Sequence, residues 1–133
     1  MNEPDFNHSV GMSFTRREGS ECELQLEVEP RHMSAAGRVH GGVFFTMVDT
    51  AMGSAVIQSL ADGRGCATIE AKINYFRPVQ QGTIRAVARC TNLSRRTAYT
   101  EAEIFDEEDR LIAKATGTFI LTESPIQSER ERV

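Results

Sequence analysis

The sequence is short of several features, and each shortage removes a class of function. Its three cysteines (Cys22, Cys66, Cys90) are an odd, scattered set with neither a C-x-x-C pair nor a Cys/His ligand spacing. A disulfide framework and a structural zinc site are therefore not expected. The thiols are read as reduced, in a cytoplasmic protein. No block of Lys or Arg breaks the mildly acidic balance of 15 basic and 19 acidic residues, so no nucleic-acid partner is expected. The opening MNEPDFNHSV lacks the basic-then-apolar plan of a secretory signal. There is no G-x-S-x-G elbow and there are only three histidines, which argues against a Ser-His-Asp hydrolase. No cluster of metal ligands and no internal repeat is visible. The expectation is therefore no metal and no resident cofactor, and any activity should survive a chelator.

What is present is organised around residues 37–61, GRVHGGVFFTMVDTAMGSAVIQSLA. From Val43 this stretch lacks proline and reads as helix. Its apolar residues cover almost the whole circumference, which is the pattern of a buried helix. About twenty residues at ~1.5 Å each give ~30 Å, the span of a small domain. Thr46, Asp49, Thr50, Ser54, Gln58 and Ser59 argue against a membrane span. The helix carries one charge, Asp49. A carboxylate in apolar surroundings needs a reason. Either a polar partner or solvent satisfies it, or it is poised as a base or nucleophile. His40-Gly41-Gly42 opens the helix, and two glycines leave backbone N–H groups unblocked at the positive end of the helix dipole. Such donors suit a developing oxyanion. Asp49 lies about two turns further on, so one chain does not readily bring Gly41 and Asp49 to one atom. Two subunits could.

The flanks read as strands. Residues 12–16 form a short one. Residues 22–28 alternate strictly, with Cys22, Leu24, Leu26 and Val28 on one face. Residues 31–38 form a loop, and Asp62-Gly63-Arg64-Gly65 stops the helix. Four strands follow at residues 68–76, 83–91, 97–105 and 111–121, the last two joined by the acidic turn at residues 106–109. In the first of the four, Ile69, Ala71, Ile73 and Tyr75 share one face and Thr68 the other. The alanines of these strands suit a sheet curled closely around a helix. Residues 1–121 are thus one α+β domain, an antiparallel sheet wrapped around one helix, and residues 122–133 are a polar tail expected to be disordered. An edge strand of such a sheet can need a partner.

HGG, an apolar gap and then Asp, on a long helix followed by the strand over residues 68–78, resembles the hot-dog-fold acyl-CoA thioesterases, and within them the PaaI-like, phenylacetyl-CoA thioesterase-type group. The resemblance covers about residues 22–121. It implies a hot-dog fold, hydrolysis of an acyl- or aryl-acyl-CoA thioester, and a homodimer or homotetramer with a sheet continuous across two subunits. It places Asp49 as the catalytic carboxylate and Gly41 as the glycine whose N–H polarises the thioester carbonyl. Gly42 serves close approach, and His40 matches the family's histidine. Thr68 falls where related enzymes carry a Ser or Thr that orients the carboxylate or water. The family's Asn or Gln, six residues before the histidine, is here Ser34. Arg77, beside Pro78, and Arg95 and Arg96 lie where contacts to the coenzyme's nucleotide fall. The acyl pocket is expected from Phe44, Phe45, Met47, Val48, Met52 and their sheet neighbours, residues that must also build the core. The other readings are a non-catalytic acyl-CoA-binding regulatory module, or another hot-dog enzyme such as a hydratase.

Overall fold

The computed structural model describes residues 5–123. The expected polar tail falls on residues 122–133, so all of it but Thr122 and Glu123 lies outside the described residues. The chain begins with a short helix, α1 (Phe6–Val10), capped by the Asp5 carboxylate. Strands β1 (Met12–Glu18) and β2 (Glu21–Glu27) form a hairpin. A 3-10 turn at Pro30–His32 and a loop lead into α2 (Gly41–Ser59). Then come β3 (Gly65–Tyr75), β4 (Thr83–Leu93), β5 (Thr97–Phe105) and β6 (Leu111–Thr122). All neighbours pair antiparallel in one six-stranded sheet of order β1-β2-β4-β5-β6-β3.

The sheet curls around α2, and the core forms between them. Met47, Val48, Ala51, Met52, Ala55 and Val56 of α2 are fully buried. They meet the inner faces of β2 and β4–β6, where Leu24, Leu26, Ile84, Ile104 and Ile112 are equally buried. Ala86, Ala88, Ala98, Ala102, Ala113 and Ala115 are also buried, so small side chains do let the sheet approach the helix closely. The helix is not buried all round. Phe45 and Ile57 are 38% and 40% exposed, and they lie on a side the sheet leaves open. The polar residues of α2 find local partners. Thr46 and Ser59 donate to the carbonyls one turn back, Gly42 and Ala55, both at 2.8 Å. Among the described residues no helix is long and apolar enough to cross a membrane.

Both edge strands carry a bulge that period-two alternation does not reveal. In β1, Phe14 pairs with Leu24 and Arg16 with Glu23, leaving Thr15 as the extra residue. In β3, Thr68 pairs with Phe119 and Glu70 with Thr118, leaving Ile69 extra and 57% exposed. The second bulge corrects the expected facing. Thr68 points to the helix side together with Ala71 and Ile73, because the extra residue absorbs the change of face.

Candidate functional site

The site begins at Asp49, eight residues into α2 and half-buried. Its Oδ1 accepts a hydrogen bond from the Thr68 hydroxyl at 2.8 Å. The bulge at Ile69 makes this pair possible, since it turns Thr68 inward. Cys66, one inward position earlier, stands close by. Burial, and then the nearby Asp49 charge, push its thiol up to about 11. Cys66 is therefore a neutral thiol at ordinary pH, making a weak contact to the Gly53 carbonyl at 3.6 Å.

Beside Asp49 lies a cavity of about 440 Å³. Its floor is one stripe of α2, formed by Asp49, Thr50, Gly53, Ser54, Ile57 and Gln58. These residues recur at helical spacing, so they share one face. Cys66 and Thr68 of β3 and Phe14 and Arg17 of β1 flank it, and Phe119 supplies a second ring. The two edges of the curled sheet thus approach each other over the uncovered side of the helix. Sequence reasoning missed this lining. Phe44, Met47, Val48 and Met52, expected in the acyl pocket, are buried beneath the sheet at 0–3% exposure, Phe45 is exposed, and none of the five lines the cavity beside Asp49. The signal was present in the four-residue spacing of Thr46, Thr50, Ser54 and Gln58, which marks a polar edge of the open face.

The start of α2 is a second centre. His40 is the N-cap, and its Nδ1 accepts from the Gly42 N–H at 2.8 Å. The His40 backbone N–H donates to the His32 carbonyl at 2.9 Å. His32 is itself fixed, with Nδ1 accepting from the Glu29 N–H at 2.9 Å and Nε2 against the Val10 carbonyl at 2.6 Å. It is a buried brace. Nothing among the described residues accepts from the Gly41 N–H. Tyr75 at the end of β3 donates to the Gly41 carbonyl at 3.0 Å, and burial raises its phenol. A side chain at Gly41 would meet the Tyr75 ring and hydroxyl at 3.2 Å, so the ring would have to give by a few tenths of an ångström. A cavity of about 380 Å³ opens here, lined by Arg38, Gly41, Phe44, Tyr75, Arg77 and Pro78 among others.

The expected site residues therefore fall into separate groups. Asp49 and Thr68 are joined. Gly41, Arg77 and Pro78 share the cavity at the helix start, with Gly42 and His40 beside it. Eight residues of helix separate Gly41 from Asp49, ~12 Å along the axis, so one chain does not bring them together. Arg95 and Arg96 form a third group with Arg64, whose guanidinium donates to the Arg95 carbonyl at 3.2 Å. Ser34 is occupied with its own loop. Its hydroxyl donates to the Arg38 carbonyl at 2.9 Å and accepts from the Ala36 N–H at 3.3 Å. Chemically, a carboxylate held by a hydroxyl beside a cavity can act as base or nucleophile. An N–H without a partner at a helix start can polarise a carbonyl.

The profile of the thioesterase superfamily matches residues 36–113, more than half of the chain. A conserved protein of Pseudomonas aeruginosa of known structure is 34% identical, superposes with a TM-score of 0.84, and is matched over 87% of this chain and 92% of its own. A thioesterase of Haemophilus influenzae is 25% identical with a TM-score of 0.82, over 86% of this chain and 80% of its own. The phenylacetic acid degradation protein PaaI of Thermus thermophilus, solved as a mutant, is 28% identical with a TM-score of 0.80, over 86% and 96%.

Proposed function

The chain belongs to the thioesterase superfamily and has its hot-dog fold, and from that premise we propose that it hydrolyses an acyl-coenzyme A thioester to the free acid and CoA. The observation that carries the reading is the Asp49–Thr68 pair at 2.8 Å beside a cavity. Asp49 attacks the thioester carbonyl or removes a proton from the water that does. Thr68 holds the carboxylate in place. The carbonyl oxygen gains charge on attack and needs a donor, and the Gly41 N–H is the donor to hand. One such donor is worth ~2.7–4 kcal/mol in an acyl-transfer transition state.

Completion of the site needs a second copy. β3 is an edge strand, and Ile69 and Tyr75 within it and Phe76 just after it are each at least half exposed. An open edge of this kind invites pairing with another strand. In an antiparallel β3–β3 pairing, the Thr68 end of one strand lies beside the Tyr75 end of the other. Asp49 of one protomer then faces the partner's Gly41. The same pairing brings the Arg38–Arg77 cavity of one copy toward the Arg64–Arg95–Arg96 group of the other. We assign the coenzyme's phosphates to these arginines, which are the cations available at that end.

The test is thiol release from a panel of acyl-CoAs, acetyl through palmitoyl with benzoyl and phenylacetyl, on the wild type and Asp49→Asn. Turnover of at least one member is expected, with a loss of ~10²–10⁴-fold in the variant at unchanged fold and assembly. A folded protein that binds these esters and releases no thiol would make it a binding module instead.

A further inference from the structure

The acyl cavity has a cation of its own. The bulge at Thr15 places Phe14 and Arg17, three residues apart, on the same helix-facing side of β1, opposite the buried Leu24 and Cys22. A regular strand would send them to opposite faces. The Arg17 guanidinium lies 4.2 Å over the Phe14 ring. Stacking occupies its flat face and leaves the N–H edge for a planar acceptor. Nearby arginines of the sheet are already paired: Arg16 with Glu21, Arg85 with Asp109 and Arg89 with Glu101. Among the described residues no carboxylate forms an ion pair with Arg17. Asn7 and Gln58, both polar and uncharged, share its cavity.

The position along the helix is informative. Arg17 pairs across the hairpin with Cys22, whose thiol lies by the Ser54 side chain. Ser54 lies five residues beyond Asp49, ~7.5 Å along the axis. A thioester carbonyl at Asp49 therefore projects its acyl chain past Gly53 and Phe119 toward Arg17. About five or six carbon–carbon bonds of ~1.5 Å, zigzagged, cover that reach.

We infer that Arg17 is a specificity-determining residue that receives a terminal carboxylate on the acyl group, so that the preferred substrate class is the CoA monothioester of a dicarboxylic acid of about six carbons. The inference rests on the thioesterase reading and refines it. Phe14, Ile57 and Phe119 cover the methylene body, while Arg17 takes the anionic end and keeps it clear of Asp49.

The matched probes are hexanoyl-CoA and adipoyl-CoA, equal in length and different only in the terminal carboxylate. Wild type should favour adipoyl-CoA at least tenfold in kcat/KM, with a preference that shrinks as salt is added. Arg17→Gln should lower the adipoyl-to-hexanoyl ratio at least tenfold, and Arg17→Lys should restore part of it. Equal rates on the two esters in wild type would overturn the inference. So would an Arg17→Gln variant that loses both esters alike and is also less inhibited by free CoA, because the cation would then serve the coenzyme's phosphates. Binding of both esters to Asp49→Asn, measured by calorimetry, reads the same preference without turnover. A protein that binds adipoyl-CoA more tightly but hydrolyses neither ester refutes the thioesterase reading and leaves the recognition intact. One that hydrolyses both without preference does the reverse.

Discussion

Gly53→Ala tests the open helix face more sharply than any charge change, because it moves stability and activity in opposite directions. Gly53 sits mid-helix, one turn beyond Asp49 on the same stripe. A methyl built there meets the Phe119 ring at 3.4 Å and 3.9 Å, which is ordinary contact. Its backbone is helical, so alanine fits without strain. Replacing an interior helical glycine by alanine should then gain about 0.8–1 kcal/mol. For a domain of this size that is roughly 3–5 °C in Tm. The same methyl enters the cavity beside Asp49. One extra methylene's worth of volume in an apolar site costs about 1–3 kcal/mol, or ~10–200-fold in kcat/KM. Acyl groups that fill the cavity should lose most, and acetyl-CoA should be spared. Calorimetric melting and thiol release over a chain-length series read both effects. A fall in Tm would show that the Phe119 contact has no slack. A rise in Tm with unchanged rates on the bulkiest substrates would refute the assignment of this cavity to the acyl group.

Thr68→Val keeps the shape of the side chain and removes the hydroxyl from Asp49. A hydrogen bond to a charged group is worth about 1.5–3 kcal/mol, so kcat should fall ~10–150-fold with KM little changed; a pure KM effect would mean that Thr68 binds substrate instead. Gly41→Ala would press on Tyr75 at 3.2 Å and crowd the one N–H proposed to face the carbonyl, so kcat should drop by at least tenfold while the melting curve stays cooperative. Wild-type turnover in that variant would remove Gly41 from the mechanism. Cys66, with its thiol at about 11, is only about one part in a thousand thiolate at pH 8 and should resist iodoacetamide in the folded protein, reacting as the pH approaches 11. Fast labelling of Cys66 at pH 7 would show that the burial and the Asp49 charge do not act on it as described.

Much of the architecture could be read from the sequence, because periodicity reports burial. The strict alternation of Cys22, Leu24 and Leu26 gave β2 to within a residue, and β5 spans the expected Thr97–Phe105. The alanine-rich inner face told of a closely wrapped helix. Three things were not legible. β3 starts at Gly65, three residues before the expected position, since glycine and cysteine carry no strand signal. The bulges at Thr15 and Ile69 break alternation in a way that only the partner strand reveals. The cavity beside Asp49 was not placed, because the polar residues at its edge, Thr46, Thr50, Ser54 and Gln58, were weighed only against a membrane span. Thus Met47 and Met52 are core and Phe44 borders the cavity at the helix start, while Arg17 and Phe14, far away in sequence, line the cavity beside Asp49. Asp49 and Thr68 were legible as separate candidates through the family pattern. Their 2.8 Å contact is a product of the fold.

The two bulges also bear on which changes of chain length this protein can absorb. Thr15 and Ile69 are each surplus to the ladder, for their neighbours on either side already pair in sequence with the adjoining strand. Removing either residue closes the strand into a regular one in which Phe14 and Arg17, or Thr68 and Ala71, keep their inward direction. A deletion farther along β1 or β3 is absorbed by the bulge only by turning the side chains between the two points to the other face. Loss of one residue is thus best absorbed around these two points of the sheet's rim. An inserted residue elsewhere along the rim would need a new bulge to hold the cavity wall in place. The rim of the cavity beside Asp49 can accordingly be shortened by one residue on either side while the core strands β2, β4, β5 and β6 keep their register.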